Sequence, residues 1–433
     1  MLSIVSKIIE RAVHDQIYSY LSVNNFLSSS QSGFRSQYST ATTVIDVQDY
    51  ILKNMDEGKV TGAIFLDLKK AFDTVSHSLL IDKLKKYGIS GFELNWFKSY
   101  LSHRMQSVKI GCSLSDLKHI NIGIPQGSIL GPLLFIVFVN DLPDIVSCKT
   151  TMYADDTSLL VSSSDPSCLQ NSLNHNLCNI ANWFRANKLT LNLSKTKLML
   201  FATPYNLNRF NDISLLYDGE SIEKVDHFKY LGIVFDSHMT WSHHIDLIAS
   251  NVSKRCGVIR RVKYYLPNHI LKKLAESLVI PHFDYCSHTG SNCSLTLSSR
   301  LQILLNNLAR IILSADIRTH IDSMMTTLKW LTLDQRWNNH ILVMLFKCLT
   351  DKAPDYLCSQ FSFTHSTHDH GTRGNSSNSL VVPNYKHNSG MRTFHVRAAN
   401  LWNKTVDIHT RSNFDSIGLG QFKSNVLYSF NDH

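Results

Sequence analysis

The sequence predicts an α+β protein, with strands and helices interleaved up to about Asp236 and a helical remainder beyond it. Three observations lead there. Short β-favouring apolar runs such as VTGAIFL and TSLL alternate with stretches of helical period. Cap and turn residues separate them, as in the Asp165–Pro166 pair and at Gly88. From about Thr240 the helical period dominates. At 433 residues the chain is longer than one hydrophobic core usually serves, so more than one packed unit is expected.

In chain order, Ser3 to about Asp56 reads as two helices around the polar loop NNFLSSSQSGFRSQYST. VTGAIFLDLKK is an apolar strand ending at Asp67. A helix over about Ser78 to Tyr87 puts Leu80, Leu84 and Tyr87 on one face, and another covers GFELNWFKSYL. VKIG and HINIG read as a hairpin, after which GIPQGS turns into a buried helix, ILGPLLFIVFV, whose Pro132 sits in the first turn, where its missing N–H does no harm. TMYADDTSLL is a hairpin. Asp165 and Pro166 start a helix carrying Leu169, Leu173, Leu177, Ile180 and Phe184. Leu189, Leu191 and Leu193 alternate as in a strand, with Lys195 and Lys197 sharing one of its faces. A last hairpin surrounds FKYLGIVFD. SKRCGVIRRVKYYL, ILKKLAESL and LQILLNNLARIIL are helical, and Phe361 to Arg392 is polar and irregular. The predicted divisions are 1–236, 237–360 and 361–433.

Composition narrows the function classes. The formal net charge of +9 favours an acidic partner, nucleic acid or an anionic surface. No apolar run approaches the roughly 20 residues of a membrane-spanning helix, and the N-terminus lacks a secretory pattern, which predicts an intracellular protein of nucleus or cytoplasm without a membrane partner. Nine scattered cysteines without a CxxC pair predict reduced thiols and no zinc ribbon. His365, His368 and His370 lie among Ser, Thr and Gly and read as a solvated loop.

The chemistry starts from acids. Asp67 ends one strand, and Asp155 and Asp156 sit together between two others. A hairpin turn explains an isolated Asp pair. Carboxylates from two strands also suit magnesium, which takes hard oxygen ligands and leaves positions for substrate phosphates. Two such ions about 4 Å apart serve phosphoryl transfer.

FLDLKKAFDTVSH, GIPQGSILGPLLFIVFVNDLP, MYADDTSLL, NLSKTK and FKYLGIVFD occur in this order and resemble the successive palm motifs of reverse transcriptases, with wording most similar to the non-LTR, LINE-like branch. QSGFRSQYST resembles that family's fingers motif, and the tail with TRGNSSNSL and FHVRAANLWN resembles the region beyond its thumb. The resemblance implies a right-hand polymerase fold, with partial fingers and a palm with antiparallel sheet in 1–236, a helical thumb in 237–360 and a C-terminal region. It implies an RNA-directed DNA polymerase that adds deoxynucleoside triphosphates to a DNA primer 3′-hydroxyl on an RNA template, using two Mg2+ ions, with Mn2+ as an alternative. The oligomeric state is not implied.

By the same resemblance Asp67, Asp155 and Asp156 are the metal-binding triad, and Tyr153 and Ala154 lie beside the primer terminus. Phe72 stands where the family places a ring under the nucleotide sugar, where it would clash with a 2′-hydroxyl; a core Phe is the alternative. Gln126 is implied against the sugar and template base, in a turn whose Gly123 and Gly127 let the backbone approach a ligand. Lys195 is implied as proton donor to pyrophosphate and Arg35 as a triphosphate contact. Tyr230, Leu231 and Gly232 resemble a primer-gripping hairpin. Arg260 and Arg261 belong to a basic run from Lys254 to Lys273 suited to phosphates. A solvated charged face is the alternative for Lys195 and for that run.

The family's endonuclease and an early fingers strand precede a segment like IVSKIIERAVHDQ, and the sequence starts almost at that segment, so a truncated chain with weakened nucleotide capture is expected. A rival reading is a decayed copy that folds and binds nucleic acid without catalysis. No RNase H constellation is evident in the tail.

Overall fold

The computed structural model describes residues 3–102, 104–125, 127–366, 378–406, 410–411 and 413–431. Gln126, His368, His370 and most of TRGNSSNSL lie outside the described residues. The main elements, in chain order, are α1 (Ile4–Val23), α2 (Thr40–Asp56), β1 (Val60–Leu66), α3 (His77–Lys86), α4 (Gly91–Leu101), α5 (Leu130–Val139), β2 (Lys149–Tyr153), β3 (Asp156–Ser163), α6 (Pro166–Asn187) and β4 (Lys197–Phe201). They continue with β5 (Glu223–Lys224), β6 (His227–Tyr230), β7 (Ile233–Asp236), α7 (Ser242–Val262), α8 (Asn268–Leu278), α9 (Leu295–Leu313), α10 (Leu333–Leu349) and α11 (Phe394–Thr405). Among the described residues no helix is long and apolar enough to cross a membrane.

Contacts divide the chain into two units, the first made of 1–39, 61–200 and 209–225, the second of 40–60, 201–208 and 226–433. The first is built on a five-stranded sheet of order β5-β4-β1-β3-β2. Its central strand β1 is buried along its whole length, as its unbroken apolar run requires. β2 and β3 form the expected hairpin, antiparallel from Lys149↔Leu160 to Tyr153↔Asp156. β5 runs parallel to β4, pairing Glu223 with Lys197, so the sheet is mixed where antiparallel pairing was expected. A parallel neighbour needs a crossover, and residues 202–222 supply it.

Local chemistry explains the helices. The Asp165 carboxylate accepts from the Cys168 N–H at 2.7 Å, with Pro166 in the first turn of α6. α5 is apolar on every side and almost wholly buried. Gly88, at φ +85°, ends α3 where a Cβ would meet the Tyr20 hydroxyl at 2.8 Å. Two expectations fail. VKIG does not pair with HINIG: Lys109–Ile110 pairs with Ser113–Leu114 across the tight Gly111–Cys112 turn, and Met105–Gln106 with Lys118–His119. The strand expected across Leu189 to Phe201 starts only at Lys197; Leu189 and Leu191 are buried instead as anchors of a loop.

In the second unit α2 is mostly buried. Ile45, Leu342, Leu345, Phe346, Trp402 and Phe422 share its core, with the Phe346 and Phe422 rings stacked at 4.3 Å. Two carboxylates of α2 tie it to the tail. Asp49 Oδ1 accepts from the Phe394 N–H at 2.8 Å, at the start of α11. Asp56 Oδ1 accepts from the His387 N–H at 2.8 Å and the Gly390 N–H at 3.1 Å, and Oδ2 from the Lys386 N–H at 3.0 Å.

Candidate active site

Asp67 follows the last residue of β1, and Asp156 opens β3, the neighbouring strand. The segment 190–196 wraps the first of these acids. Asp67 O accepts from the Asn192 N–H at 2.7 Å, its Oδ2 accepts from Asn192 Nδ2 at 2.8 Å, and Leu68 bridges Leu191. Lys195 Nζ lies 3.9 Å from Asp67 Oδ2 on a side chain 69% exposed.

The pairing of Lys195 with Lys197 on one strand face is therefore corrected. Lys195 lies in the turn, its N–H donating to Asn192 O at 3.1 Å. Lys197 is on β4, 16% exposed, and its ammonium is taken by Glu223 and by Ser194 O. Only Lys195 of the two faces the acids.

The turn between β2 and β3 is Ala154–Asp155, with Ala154 buried and at φ +58°. Such a conformation strains a non-glycine residue, and here a second segment holds it. Ser32 N–H donates to Met152 O and Met152 N–H to Ser30 O, both at 2.8 Å. The wholly buried Gln31 accepts from the Ala154 N–H at 3.0 Å and the Gly33 N–H at 2.7 Å through Oε1. A Cβ at Gly33 would collide with the Ala154 backbone nitrogen. Gln31 and Asn192 were missed in the sequence, although both stand in the quoted motifs; a polar residue followed by Ser-Gly gives no sign that it is buried.

Electrostatics bring the three acids into one field. Burial pushes the Asp155 carboxyl above its ordinary pKa, the Asp67 charge adds to this, and Lys195 opposes it. Asp156 is pushed up to about 6, first by desolvation and then by repulsion from Asp155 and Asp67. Residue Asp156 is nonetheless exposed overall, so the repulsion is the part that a cation would relieve. Among the described residues no three His, Cys, Asp or Glu side chains converge into a ready metal cage. The acids fit a hard divalent cation in kind, as mutually repelling oxygen donors, with water and phosphate oxygens left to complete the coordination.

Phe72 is half-buried, stacked on Phe135 at 4.5 Å and edge-on to Phe34 at 6.4 Å. Ile124 N–H donates to Phe72 O at 2.8 Å, which seats the start of the GIPQGS loop on the Phe72 segment. Gly123, at φ +87°, makes its close approach to the Asp73 carbonyl, where a Cβ would sit at 2.8 Å, so its freedom serves the chain's own packing. The loop's exit is held by the buried Glu10, whose Oε2 accepts from the Ile129 N–H at 2.7 Å and Oε1 from the Tyr100 hydroxyl at 3.0 Å. Arg35 Nη1 donates to Ser28 O at 2.6 Å and Gln31 O at 3.1 Å, and the guanidinium stacks over Tyr38.

The remaining candidates belong to the second unit. Tyr230 pairs with Ile233 and is buried, and Leu231 and Gly232 form the turn at φ +46° and +83°. The Tyr285 hydroxyl donates to Leu231 O at 2.8 Å, and its ring would meet a Cβ at Gly232 at 2.9 Å. Arg260 and Arg261 are exposed in the last turn of α7.

Residues 1–235 match the family described as reverse transcriptase (RNA-dependent DNA polymerase). The chain is 31% identical over 276 residues to the probable RNA-directed DNA polymerase from transposon BS of Drosophila melanogaster, covering 60% of this chain and 29% of that protein. It is 25% identical to that of the X-element of the same fly, over 78% of this chain and 38% of the relative, and 30% identical to that of mobile element jockey, over 57% and 27%. The chain thus spans between about a quarter and two fifths of the length of these relatives. It belongs to the reverse transcriptase family, in its non-LTR, LINE-like branch.

Proposed function

We propose that this chain is the polymerase portion of a non-LTR retrotransposon protein, joining deoxynucleotides to a primer 3′-hydroxyl on an RNA template. The observation that carries the reading is the shared field of Asp67, Asp155 and Asp156 beside one exposed ammonium, Lys195, at the ends of neighbouring strands. Asp67 and Asp155, with Asp156 beside them, would hold two Mg2+ ions. Those ions, when bound, activate the attacking hydroxyl and stabilise charge on the leaving pyrophosphate.

The chain's own residues do the rest. Asn192 orients the Asp67 carboxylate, and Gln31 holds the Asp155 turn in its strained form. Lys195 donates a proton to the departing pyrophosphate, a role that suits an exposed ammonium close to the acids. The ring of Phe72, braced by Phe135, stands under the nucleotide sugar and excludes a 2′-hydroxyl. Tyr153 and Ala154 flank the primer end, Arg35 contacts the triphosphate from its loop, and the family resemblance gives Gln126 the role of contacting the sugar and template base. The units correspond to a palm with part of the fingers and to a thumb with the tail. The hairpin of Tyr230, Leu231 and Gly232 grips the primer through its turn backbone, since the Tyr230 ring is buried.

Primer extension on an RNA template with Mg2+ tests this. The chain should extend the primer, and Asp67→Asn and Asp155→Asn should each abolish extension while keeping template–primer binding within several-fold. Near-normal extension by either variant overturns the metal assignment. Binding without any extension by the unaltered chain supports the decayed-copy reading instead.

A further inference from the structure

The end of α7 and the turn into α8 carry, within the basic run already noted, two aromatic side chains to which the polymerase reading gives no role. From Asn251 to Lys273 the chain has no Asp or Glu, while Lys254, Arg255, Arg260, Arg261, Lys263, Lys272 and Lys273 are all basic. At its centre stand two consecutive tyrosines, Tyr264 and Tyr265, 81% and 84% exposed. They are held in a defined turn: the Tyr265 N–H donates to Val262 O at 3.0 Å, and Pro267 caps α8 immediately after. Lys263 Nζ lies 5.3 Å from the Tyr264 ring centroid, within cation–π range, which ties a positive charge to the exposed ring.

Large aromatic side chains so fully exposed bury nothing in the fold. We infer that Tyr264 and Tyr265 form a stacking platform for unpaired bases of single-stranded nucleic acid, with the surrounding Lys and Arg side chains tracking its phosphates. Cationic grooves interleaved with aromatics have this use, because every base presents a π-face while the backbone supplies uniform charge. A duplex would not need the tyrosines, since its base faces are already stacked. An anionic membrane is a poorer fit, because a helix that lies on lipid buries a broad apolar face and this turn offers two hydroxylated rings among charges. The inference rests on the polymerase reading only in its class of macromolecule.

The test measures binding without nucleotides or extension, so its failure is distinguishable from loss of polymerase activity. The whole chain is titrated by fluorescence anisotropy against labelled single-stranded oligothymidylate and against an abasic strand of the same length. The expected result is tighter binding of the base-bearing strand by roughly tenfold per stacked base. Replacing both residues, Tyr264→Ala with Tyr265→Ala, should erase that preference without changing the slope of log K against log salt. Tyr264→Phe with Tyr265→Phe should keep it, which separates stacking from misfolding. Equal affinity of the unaltered chain for the two strands overturns the inference, as does a preference that survives in the alanine variant. Tyrosine-dependent binding to phosphatidylserine vesicles, without discrimination between the strands, assigns the surface to lipid and also overturns it.

Discussion

At the residue scale, the three acids carry opposing demands. Asp155 and Asp156 titrate above an ordinary aspartate, so between about pH 4 and 6 the folded chain binds more protons than the unfolded one. Stability from these groups therefore falls as pH rises through that window and levels off above it. The melting temperature of the unaltered chain, relative to Asp156→Asn, should accordingly rise as pH is lowered from about 7 to about 5 without divalent ions. Mg2+ should raise the melting temperature more at pH 7 than at pH 5, where protons compete for the same oxygens. A difference between the two proteins that does not change with pH would remove Asp156 from the shared field. Phe72 belongs to this scale too. Its ring rests on Phe135, so Phe72→Val leaves a partner to pack against while removing bulk above it. Ribonucleotide incorporation should increase relative to deoxynucleotide incorporation in single-nucleotide extension, and unchanged selectivity would return Phe72 to a packing role.

At the scale of elements, short polar segments hold the strands and helices that matter. The Ser30–Gly33 segment adds bonds to the β2 edge at the turn, and the 190–196 loop does the same for the end of β1. The helical unit shows the principle with a measurable consequence. Desolvation, the largest single influence, raises the Asp56 pKa, but the N–H groups of His387, Lys386 and Gly390 together hold it below the ordinary value. Its stabilising effect is present above pH 4 and is lost as pH falls through the lowered pKa. Asp56→Ala leaves those three N–H groups, the buried one of Gly390 among them, without their acceptor. It should destabilise the unit by about 2–4 kcal/mol, at hydrogen bonds to a charged group of roughly 1.5–3 kcal/mol each and with partial compensation by water. Urea unfolding followed by fluorescence measures this, and a loss below about 0.5 kcal/mol would mean the tail does not depend on the clasp.

At the scale of the whole molecule, net charge and its placement would govern the proposed association with nucleic acid. The +9 balance is concentrated in part on one acid-free stretch. Arg260→Ala with Arg261→Ala should reduce the salt slope of duplex binding by roughly two units if both touch phosphates, and by about one if a single side chain does. The tyrosine substitutions should leave that slope alone, so the two variants separate charge from stacking. A slope unaffected by the arginine changes would make these side chains an ordinary solvated face.

The sequence by itself determined the elements whose signal is local. Asp165 and Pro166 start α6, the β2–β3 hairpin closes at Tyr153 and Asp156, and β6–β7 pairs as read, because caps, turns and side-chain period act within a few residues. The acids too were legible, as charges set between apolar strands in an ordered series of motifs. What only the tertiary structure decided is whatever depends on a partner far along the chain. Leu189 and Leu191 alternate like a strand yet anchor a loop around Asp67, since burial and strand pairing impose the same local pattern. Lys195 and Lys197 part because the strand begins only at Lys197, where Glu223 reaches its ammonium from a parallel strand, while Lys195 stays in the turn beside Asp67. Gln31 is buried because Ala154, more than a hundred residues away, offers it an N–H in a strained turn. Local propensity is written in neighbouring residues, whereas burial and pairing are properties of the folded contact, and only the fold supplies them.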